Sequence, residues 1–356
     1  MTGSPHPALR VTQIGNASRG PGGVSSVVRT MNTWADDDLE VREWPSYWHG
    51  SRRRTVAALV RTTAKALFSK VGPTDVWHFH LTQEGSFVRE GLLLWIGRRR
   101  GVCCTALVHG SHFVAFAEGN RRLAGWVLRW PAVVFVLTEP ASEMVRSLGV
   151  PAVRVANAVP IPGEPVAAGR SGFVFAGEIG ERKGADVLLE AWVAAGVAGH
   201  ELVLLGDLAR RFRLPDPLPD GVVVQGPVGP DEVLARLRTA VALVLPSRAE
   251  AMPMIILESM SLGTPVIATD VGQIAEVVDS TGLVVPPADA AALGTAIRRL
   301  ADSPELARRL GQSAWDRART RHSNDVVKGT FVAHWAACVP GARPGDKPLP
   351  DPPDST

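Results

Sequence analysis

The sequence has few of the features that would place it in a disulfide-rich or membrane-spanning class. It contains three cysteines, Cys103, Cys104 and Cys338, which provide neither a disulfide framework nor a metal-ligand spacing. The longest uncharged stretch, residues 101–117, is broken by a polar segment at His109 and cannot span a bilayer. The N-terminus is polar and carries prolines, so we expect no signal peptide. These absences predict a cytosolic protein whose two adjacent cysteines lie in the core.

The composition is that of a folded chain whose first half is basic. Apolar residues make up 46% and charged residues 21% of the 356 positions, which argues against disorder and leaves room for two domains. The net charge of +3 hides an asymmetry. Residues 1–165 hold 19 Lys and Arg against 12 Asp and Glu, whereas the remainder holds 19 against 23.

The excess positive charge is concentrated in short clusters beside apolar residues. The clusters are Arg52-Arg53-Arg54, Arg98-Arg99-Arg100 and Arg121-Arg122. This pattern favours a surface that faces anionic lipid, and solvated helix faces are the alternative interpretation. Nucleic acid would suit the charge as well, but no recognition motif for it is present. We therefore expect no nucleic-acid partner and a peripheral position on the inner face of a membrane.

Strand-like and helix-like segments alternate along the chain and predict an α/β fold. Prolines and glycines that follow Asn157 mark a linker, so we place a domain boundary near residue 165. The predicted domains are 1–165 and 166–321. The last apolar helix is expected at 324–338, and the Pro-rich tail from 339 to 356 is expected to be disordered.

Residues 241–278 form a βαβ unit that carries the functional argument. The apolar runs at 241–245 and 266–268 indicate buried parallel strands, and residues 254–262 between them have helical spacing. Glu250 falls in the loop and Glu258 near the start of the helix.

This arrangement suits an anion that carries hydroxyl groups. The carboxylates of Glu250 and Glu258 accept hydrogen bonds from sugar hydroxyls, while free amides at the helix start, at Met254 and Ile255, attract phosphate. Two surface glutamates of an ordinary doubly wound domain are the alternative interpretation.

Glu250 and Glu258, with the segment SMSLGTPVIATDVG at 259–272, resemble the Glu-x7-Glu signature of retaining GT-B glycosyltransferases of family 4, the glycosyl transferases group 1. The likeness extends over nearly the whole chain. It implies two Rossmann-like doubly wound domains that face an interdomain cleft, with a helix at 322–338 crossing back to the first domain. It also implies sugar transfer from a nucleoside-diphosphate sugar with retention, without metal or another cofactor.

The resemblance assigns roles to the sugar-binding residues. Glu250 is expected to hold hydroxyls of the transferred sugar, and Glu258 the ribose. His109 leaves the carboxyl end of a predicted strand, where open α/β sheets place their ligands, and it matches a histidine that contacts the donor sugar. A core or capping histidine is the alternative. His78 and His80 share one face of a predicted strand, and a structural role is expected for both.

The donor diphosphate needs positive charge and close backbone amides. Gly22 and Gly23 precede a helix and match the family's glycine turn, where amides approach phosphate closely. Lys183 matches the family's lysine, but Glu178 stands where the family has arginine. We hypothesise that Arg182 supplies the missing charge from a different angle.

Two further features concern the donor's identity. The resemblance places the nucleotide base against backbone groups near Gly226 and Val228, which leaves no side-chain signature. Residues 251–255 read Ala-Met-Pro-Met-Ile in place of the family's commonest wording, and Pro253 removes one amide donor. The donor base and sugar are therefore not predicted.

The resulting hypothesis is a hexosyltransferase that moves a sugar from a nucleotide sugar to a glycan or lipid-linked acceptor in polysaccharide or glycoconjugate biosynthesis. A non-catalytic partner protein that retains the GT-B fold is the first alternative. A sugar-nucleotide epimerase is the second, although we find no acid/base pair suited to the anomeric ring.

Overall fold

The structure is a computed structural model that describes residues 9–165 and 169–339. The chain forms two compact units, which divide between Ala158 and Val159 and again between Ser323 and Asn324. The first division lies a few residues before the expected boundary near residue 165. The final helix is grouped with the first unit. All of the predicted Pro-rich tail except Val339 lies outside the described residues.

The first unit alternates strands and helices. Its strands are β1 (Leu9–Asn16), β2 (Leu39–Tyr47), β3 (Asp75–Leu81), β4 (Cys103–Val108), β5 (Val133–Val136) and β6 (Ala152–Arg154). The helices between them are α1 (Gly23–Asn32), α2 (Arg52–Phe68), α3 (Gly85–Arg99), α4 (Phe113–Gly119), α5 (Arg121–Leu128) and α6 (Glu139–Ser147).

The strands of the first unit form one parallel sheet in the order β2-β1-β3-β4-β5-β6. Its central strands are largely buried and mostly apolar, as expected where helices cover both faces of a sheet, although Gln13, His78 and His80 are buried polar residues. Phe79, Phe135 and Leu94 are fully buried. The strand order reverses between β1 and β3, since β2 lies to one side of β1 and all later strands lie to the other.

The second unit repeats this plan. Its strands are β7 (Phe173–Ala176), β8 (Leu202–Leu205), β9 (Val222–Gly226), β10 (Ala242–Leu245), β11 (Val266–Thr269) and β12 (Leu283–Val285). Its helices are α7 (Ala185–Ala195), α8 (Pro230–Thr239), α9 (Met254–Ser261), α10 (Ile274–Val278), α11 (Ala290–Ala301) and α12 (Pro304–Arg317). A 3-10 turn covers Glu181–Lys183 and a π-helical turn covers Ala318–His322.

The second sheet is also parallel, in the order β12-β11-β10-β7-β8-β9. Its core combines apolar strand residues with the inner faces of α7, α11 and α12, and Phe173, Leu188 and Ile297 are fully buried there. The predicted α/β class with two doubly wound units is confirmed.

The last helix, α13 (Asn324–Ala337), packs its aromatic residues into the first unit. Trp335 is 1% exposed, and its indole N–H donates to the Thr105 hydroxyl at 3.2 Å. Its ring lies 5.3 Å from the ring of His78 and 5.5 Å from that of Phe331. This burial explains why an apolar helix follows the second unit in sequence and belongs to the first.

The cysteine prediction was wrong in one respect. Cys103 at the start of β4 forms a disulfide with Cys338 just after α13, with 6.0 Å between the two Cα atoms. Cys104 is the buried free cysteine of the described residues, and burial raises the pKa of its thiol to about 12. The separation of 235 residues hid the pairing, because sequence spacing carries no information on such a distant contact.

Two strands were not predicted. Strand β2 lies at the sheet edge, and its polar residues and Pro45 conceal the apolar pattern. Strand β12 spans three residues and is also an edge strand. None of the helices in the described part of the chain is long and apolar enough to cross a membrane.

We predict that Trp335→Ala destabilises the first unit by about 3–5 kcal/mol, because it removes a buried aromatic side chain and leaves a cavity. Calorimetric unfolding measures the change. Val326→Ala on the same helix is the control, since Val326 is 49% exposed and its truncation should cost less than about 0.5 kcal/mol. Equal effects of the two substitutions would contradict the observed packing of α13.

Candidate functional site

Two predicted residues of the second unit, Lys183 and Glu250, meet where its strand order reverses. Strands β7 and β10 are neighbours in the sheet, although two strands separate them in sequence. From β7 the chain continues to β8 on one side, and from β10 it continues to β11 on the other; open α/β sheets bind ligands at such a point, at the carboxyl ends of the strands. The first loop carries Lys183 and the second carries Glu250. The sheet topology thus brings together residues that are 67 positions apart in sequence.

Lys183 and Glu250 form an ion pair at this position. The Lys183 ammonium donates to the Glu250 carboxylate, and the Ser247 hydroxyl donates to the same oxygen at 2.8 Å. Both side chains are largely buried, at 14% and 11% exposure. A partly buried ion pair with an added hydrogen bond holds its members in fixed geometry. Lys183, which is predicted to bind the diphosphate, and Glu250, which is predicted to bind the sugar, are therefore in direct contact.

Two glycines allow the loops to approach closely. Gly184 has a φ of +72°, and a Cβ built there would lie 1.9 Å from the carbonyl oxygen of Pro246. Gly272, after β11, has a φ of +60°, and its Cβ would lie 2.2 Å from the carbonyl oxygen of Glu250. A side chain at either position would push the loops apart. The position of Glu250 thus depends on backbone packing from both sides.

Arg248 is a residue that the sequence analysis missed. Its guanidinium makes paired hydrogen bonds of 2.7 and 2.6 Å to the Asp186 carboxylate and also donates to the carbonyl of Glu181. The Arg248 hydrogen bond lowers the pKa of Asp186. Because the backbone N–H of Arg248 donates to the carbonyl of Arg182 at 2.9 Å, this residue fixes the 3-10 turn to the β10 loop. Only the fold brings these loops together, so no local motif could reveal it.

The helix start carries the other predicted donor ligands. Pro253 precedes α9, and Met254 and Ile255 occupy its first turn, where backbone amides have no partner earlier in the helix. Glu258 lies one turn later and is partly exposed. Glu250 and Glu258 thus sit on successive elements of one βαβ unit, as predicted.

Arg182 and Glu178 are both exposed on the loop that follows β7. Arg182 lies in the 3-10 turn beside Lys183, and no described residue forms an ion pair with its side chain. Glu178 follows Gly177 directly, so a negative charge occupies the position where the resembled family has arginine.

The predicted base-binding residues lie further along the same edge of the sheet. Gly226 ends β9 with a φ of +80°, and Val228 follows in the turn before α8. Strand β8 separates β9 from β7. All of these residues belong to loops at the carboxyl ends of the parallel strands.

In the first unit, Gly22 and Gly23 stand at the start of α1. Gly22 has a φ of +91°, and a Cβ at either glycine would meet no atom within 4 Å. The backbone is therefore accessible at this helix end, as predicted for a turn that approaches a phosphate.

His109 follows β4 and joins a chain of buried polar side chains. Its Nε2 lies 2.9 Å from Nδ1 of His80, and the two rings stack with centroids 5.1 Å apart. Nε2 of His80 lies 2.9 Å from Oε1 of Gln13. The Gln13 amide nitrogen donates to the Val28 carbonyl at 3.2 Å and to the Asn32 side-chain oxygen at 2.7 Å. The chain connects β1, β3 and β4 beneath the carboxyl edge of the sheet.

These contacts determine where the protons of the two histidines lie. A carbonyl only accepts hydrogen bonds, so the group that contacts the Val28 carbonyl must be the NH2 of the Gln13 side-chain amide. The oxygen of that amide therefore faces His80. Nε2 of His80 therefore carries the proton, and Nδ1 of a neutral His80 is the acceptor. His109 must then donate from Nε2. Its Nδ1 remains an acceptor that suits a hydroxyl group of a ligand.

Burial keeps these histidines neutral. It lowers the pKa of His109 to about 3, and together with the neighbouring histidines it lowers that of His80 well below its usual range. Burial also lowers the pKa of His78 to about 3. His78 contacts the Thr105 hydroxyl at 2.8 Å and packs among aromatic rings. His80, for which a structural role was expected, contacts the candidate ligand His109 directly.

Among the described residues, no group of three or more His, Cys, Asp or Glu side chains is placed to hold a metal ion.

Comparison with solved structures shows the fold class. The chain superposes on sucrose-phosphate synthase of Thermosynechococcus elongatus with a TM-score of 0.70 and 17% identity, over 92% of this chain and 99% of that one. It superposes on HepE of Anabaena, solved with UDP and glucose, with a TM-score of 0.71 and 14% identity, over 92% and 100% of the two chains. The fold is that of the GT-B glycosyltransferases.

The sequence comparisons agree with this class. Residues 170–303 match the family model of the glycosyl transferases group 1. D-inositol 3-phosphate glycosyltransferase of Streptomyces avermitilis is 29% identical over 323 residues, which cover 74% of this chain and 67% of that protein. Over residues 170–303 the chain is therefore similar to the glycosyl transferases group 1, and this matched segment contains the loops of Lys183 and Glu250.

We predict that His109 carries its proton on Nε2 and has a bare Nδ1 at neutral pH, as long-range ¹⁵N–¹H NMR of the imidazole would show. Gln13→Met removes the acceptor that orients His80 and should give His109 a mixture of both tautomers. The exposed His112 is an internal control whose signals should not change. A protonated Nδ1 on His109 in the unaltered protein would contradict the deduced hydrogen-bond chain.

Proposed function

We propose that this protein transfers a hexose-type sugar from a nucleoside-diphosphate sugar to a hydroxyl of a glycan or lipid-linked acceptor, with retention at the anomeric carbon and without a metal ion. The observation that supports this most directly is the Lys183–Glu250 pair at the strand-order reversal of the second unit. The pair places a cation for a leaving diphosphate beside a carboxylate for sugar hydroxyls. HepE, which shares the fold, was solved with UDP and glucose.

The local charges decide which groups would meet the diphosphate. Arg248 already has its charge balanced by Asp186, and Lys183 shares its charge with Glu250. Arg182 is exposed in the same turn. We therefore assign the diphosphate to Lys183 and Arg182, assisted by the amides of Met254 and Ile255 and by the Gly22-Gly23 turn.

In the proposed reaction, the bond between the anomeric carbon and the diphosphate oxygen breaks, and the acceptor oxygen bonds to that carbon. The acceptor proton leaves with the nucleoside diphosphate. Glu250 would hold the sugar hydroxyls and Glu258 the ribose, while the base would rest near Gly226 and Val228. His109 would accept a hydrogen bond from a sugar hydroxyl through Nδ1, since its Nε2 is committed to His80. Cations that stabilise the departing diphosphate lower the barrier to this step.

A lipid-linked acceptor would be met at a membrane, and a position on the inner membrane face fits a donor drawn from the cytoplasm. The proposal therefore includes a lipid-linked acceptor and a position on the inner face of the membrane. Because Cys103 and Cys338 form a disulfide, the cysteines do not support a cytosolic location. The proposed position at a membrane therefore rests on the basic charge of the first unit.

We predict that one nucleoside diphosphate among UDP, GDP and ADP, or a hexose conjugate of it, raises the melting temperature of the protein. A ligand at about ten times its dissociation constant adds roughly 1.4 kcal/mol to the free energy of unfolding. Glu258→Gln should lose most of this shift, because the ribose would lose its acceptor. Glu190→Gln, at an exposed site on α7, is the control and should keep it. No shift with any of the nucleotides would overturn the proposed function.

Arg182→Ala should weaken binding of that nucleotide by about tenfold or more, because a charge-assisted hydrogen bond contributes roughly 1.5–3 kcal/mol. Titration calorimetry measures the affinity. Arg211→Ala is the matched control, since Arg211 is an exposed arginine of the same unit on a different loop. Unchanged affinity and activity in Arg182→Ala would show that this arginine does not compensate for Glu178.

A further inference from the structure

The outward face of α2 exposes apolar side chains to solvent. Its buried residues are Thr62 and Ala66, and helical spacing places Val60 and Leu67 on the opposite side. Val60 is 64% exposed, and Phe68 at the helix end is 82% exposed. Val60 and Leu67 lie about two turns apart, and Phe68 follows Leu67 directly at the end of the helix, so exposed apolar side chains form a stripe along the second half of α2.

Helix α3 also exposes apolar side chains. Val88 and Leu92, one turn apart, are each 50% exposed. The two helices lie side by side, because the Arg100 guanidinium donates to the Ala66 carbonyl at 2.7 Å. We call the exposed faces of α2 and α3 together the α2–α3 surface.

The charge of the α2–α3 surface has one sign around α2. Residues 44–74 contain no acidic residue and six basic ones, which are Arg52, Arg53, Arg54, Arg61, Lys65 and Lys70. All six are exposed. Arg54 and Lys65 lie 5.6 and 5.7 Å from the rings of Trp48 and Trp44, and none of the six forms an ion pair with a described residue. The positive charge of this segment is therefore directed at solvent or a partner.

We propose that the α2–α3 surface docks the protein on a lipid bilayer that contains anionic headgroups. Val60, Leu67 and Phe68 would enter the interface between headgroups and acyl chains, and the surrounding basic side chains would contact the lipid phosphates. An exposed aromatic and aliphatic stripe inside a basic border is the pattern of interfacial helices.

The charges argue against two other occupants. A symmetric dimer would place the surface against itself and bring two sets of six basic residues together, which is unfavourable. Nucleic acid would engage the basic residues and leave the aliphatic stripe without an apolar partner. Anionic lipid satisfies both the charge and the apolar side chains.

Cosedimentation of the full chain with vesicles tests the proposal. We expect binding to vesicles of phosphatidylcholine with about 30% phosphatidylglycerol at roughly 50 mM salt, and little binding to pure phosphatidylcholine. The double variant Arg53→Gln with Arg61→Gln should lose about fivefold in partitioning for each charge removed. The double variant Val60→Ser with Phe68→Ser should lose about tenfold or more.

The matched control is Val193→Ser with Val326→Ser, which removes two exposed valines from other helices and should bind like the unaltered protein. Far-ultraviolet circular dichroism verifies that each variant is folded, and nucleotide-induced melting shifts show separately whether donor binding is intact. Failure of the unaltered protein to sediment at low salt would overturn the proposal. It would also fall if the apolar variant bound normally, or if that variant only converted a dimer to a monomer.

Discussion

The strand order of the second sheet reverses between β7 and β10, and the candidate chemistry of that unit depends on this reversal. Open α/β sheets bind ligands at the carboxyl ends of the strands, where neighbouring strands continue to opposite sides of the sheet. Lys183 and Glu250 sit on the two loops at that point and contact each other. Gly184, Gly272 and Arg248 then fix how closely the loops approach. The ion pair is therefore a consequence of topology, refined by local backbone packing.

The first unit uses the same edge of its sheet in a different way. Its candidate residue, His109, is held by a buried polar chain through His80 to Gln13. Buried polar groups are costly unless every hydrogen bond is satisfied. Here each side chain in the chain forms its hydrogen bonds in only one arrangement of protons. That arrangement makes Nδ1 of His109 a hydrogen-bond acceptor. A core of apolar residues would pack as well but could not specify that arrangement.

Most of the fold could be predicted from the sequence, because buried parallel strands are mostly apolar and their helices have clear periodicity. The exceptions have physical causes. Strand β2 is an edge strand whose polar residues and Pro45 obscure its pattern. The Cys103–Cys338 disulfide joins residues 235 positions apart. Such a contact leaves no local trace.

The candidate site was predictable only as far as its motifs are local. Glu250 and Glu258 lie eight positions apart on one βαβ unit, so their proximity could be predicted from the sequence alone. Arg248 and His80 act through partners on other elements, Asp186 and His109, and their roles require the tertiary structure. The difference between local motifs and tertiary contacts also applies to Glu178. Its identity is visible in the sequence, but the charge around it depends on tertiary contacts. Arg248 is paired with Asp186, whereas Arg182 forms no ion pair with a described residue.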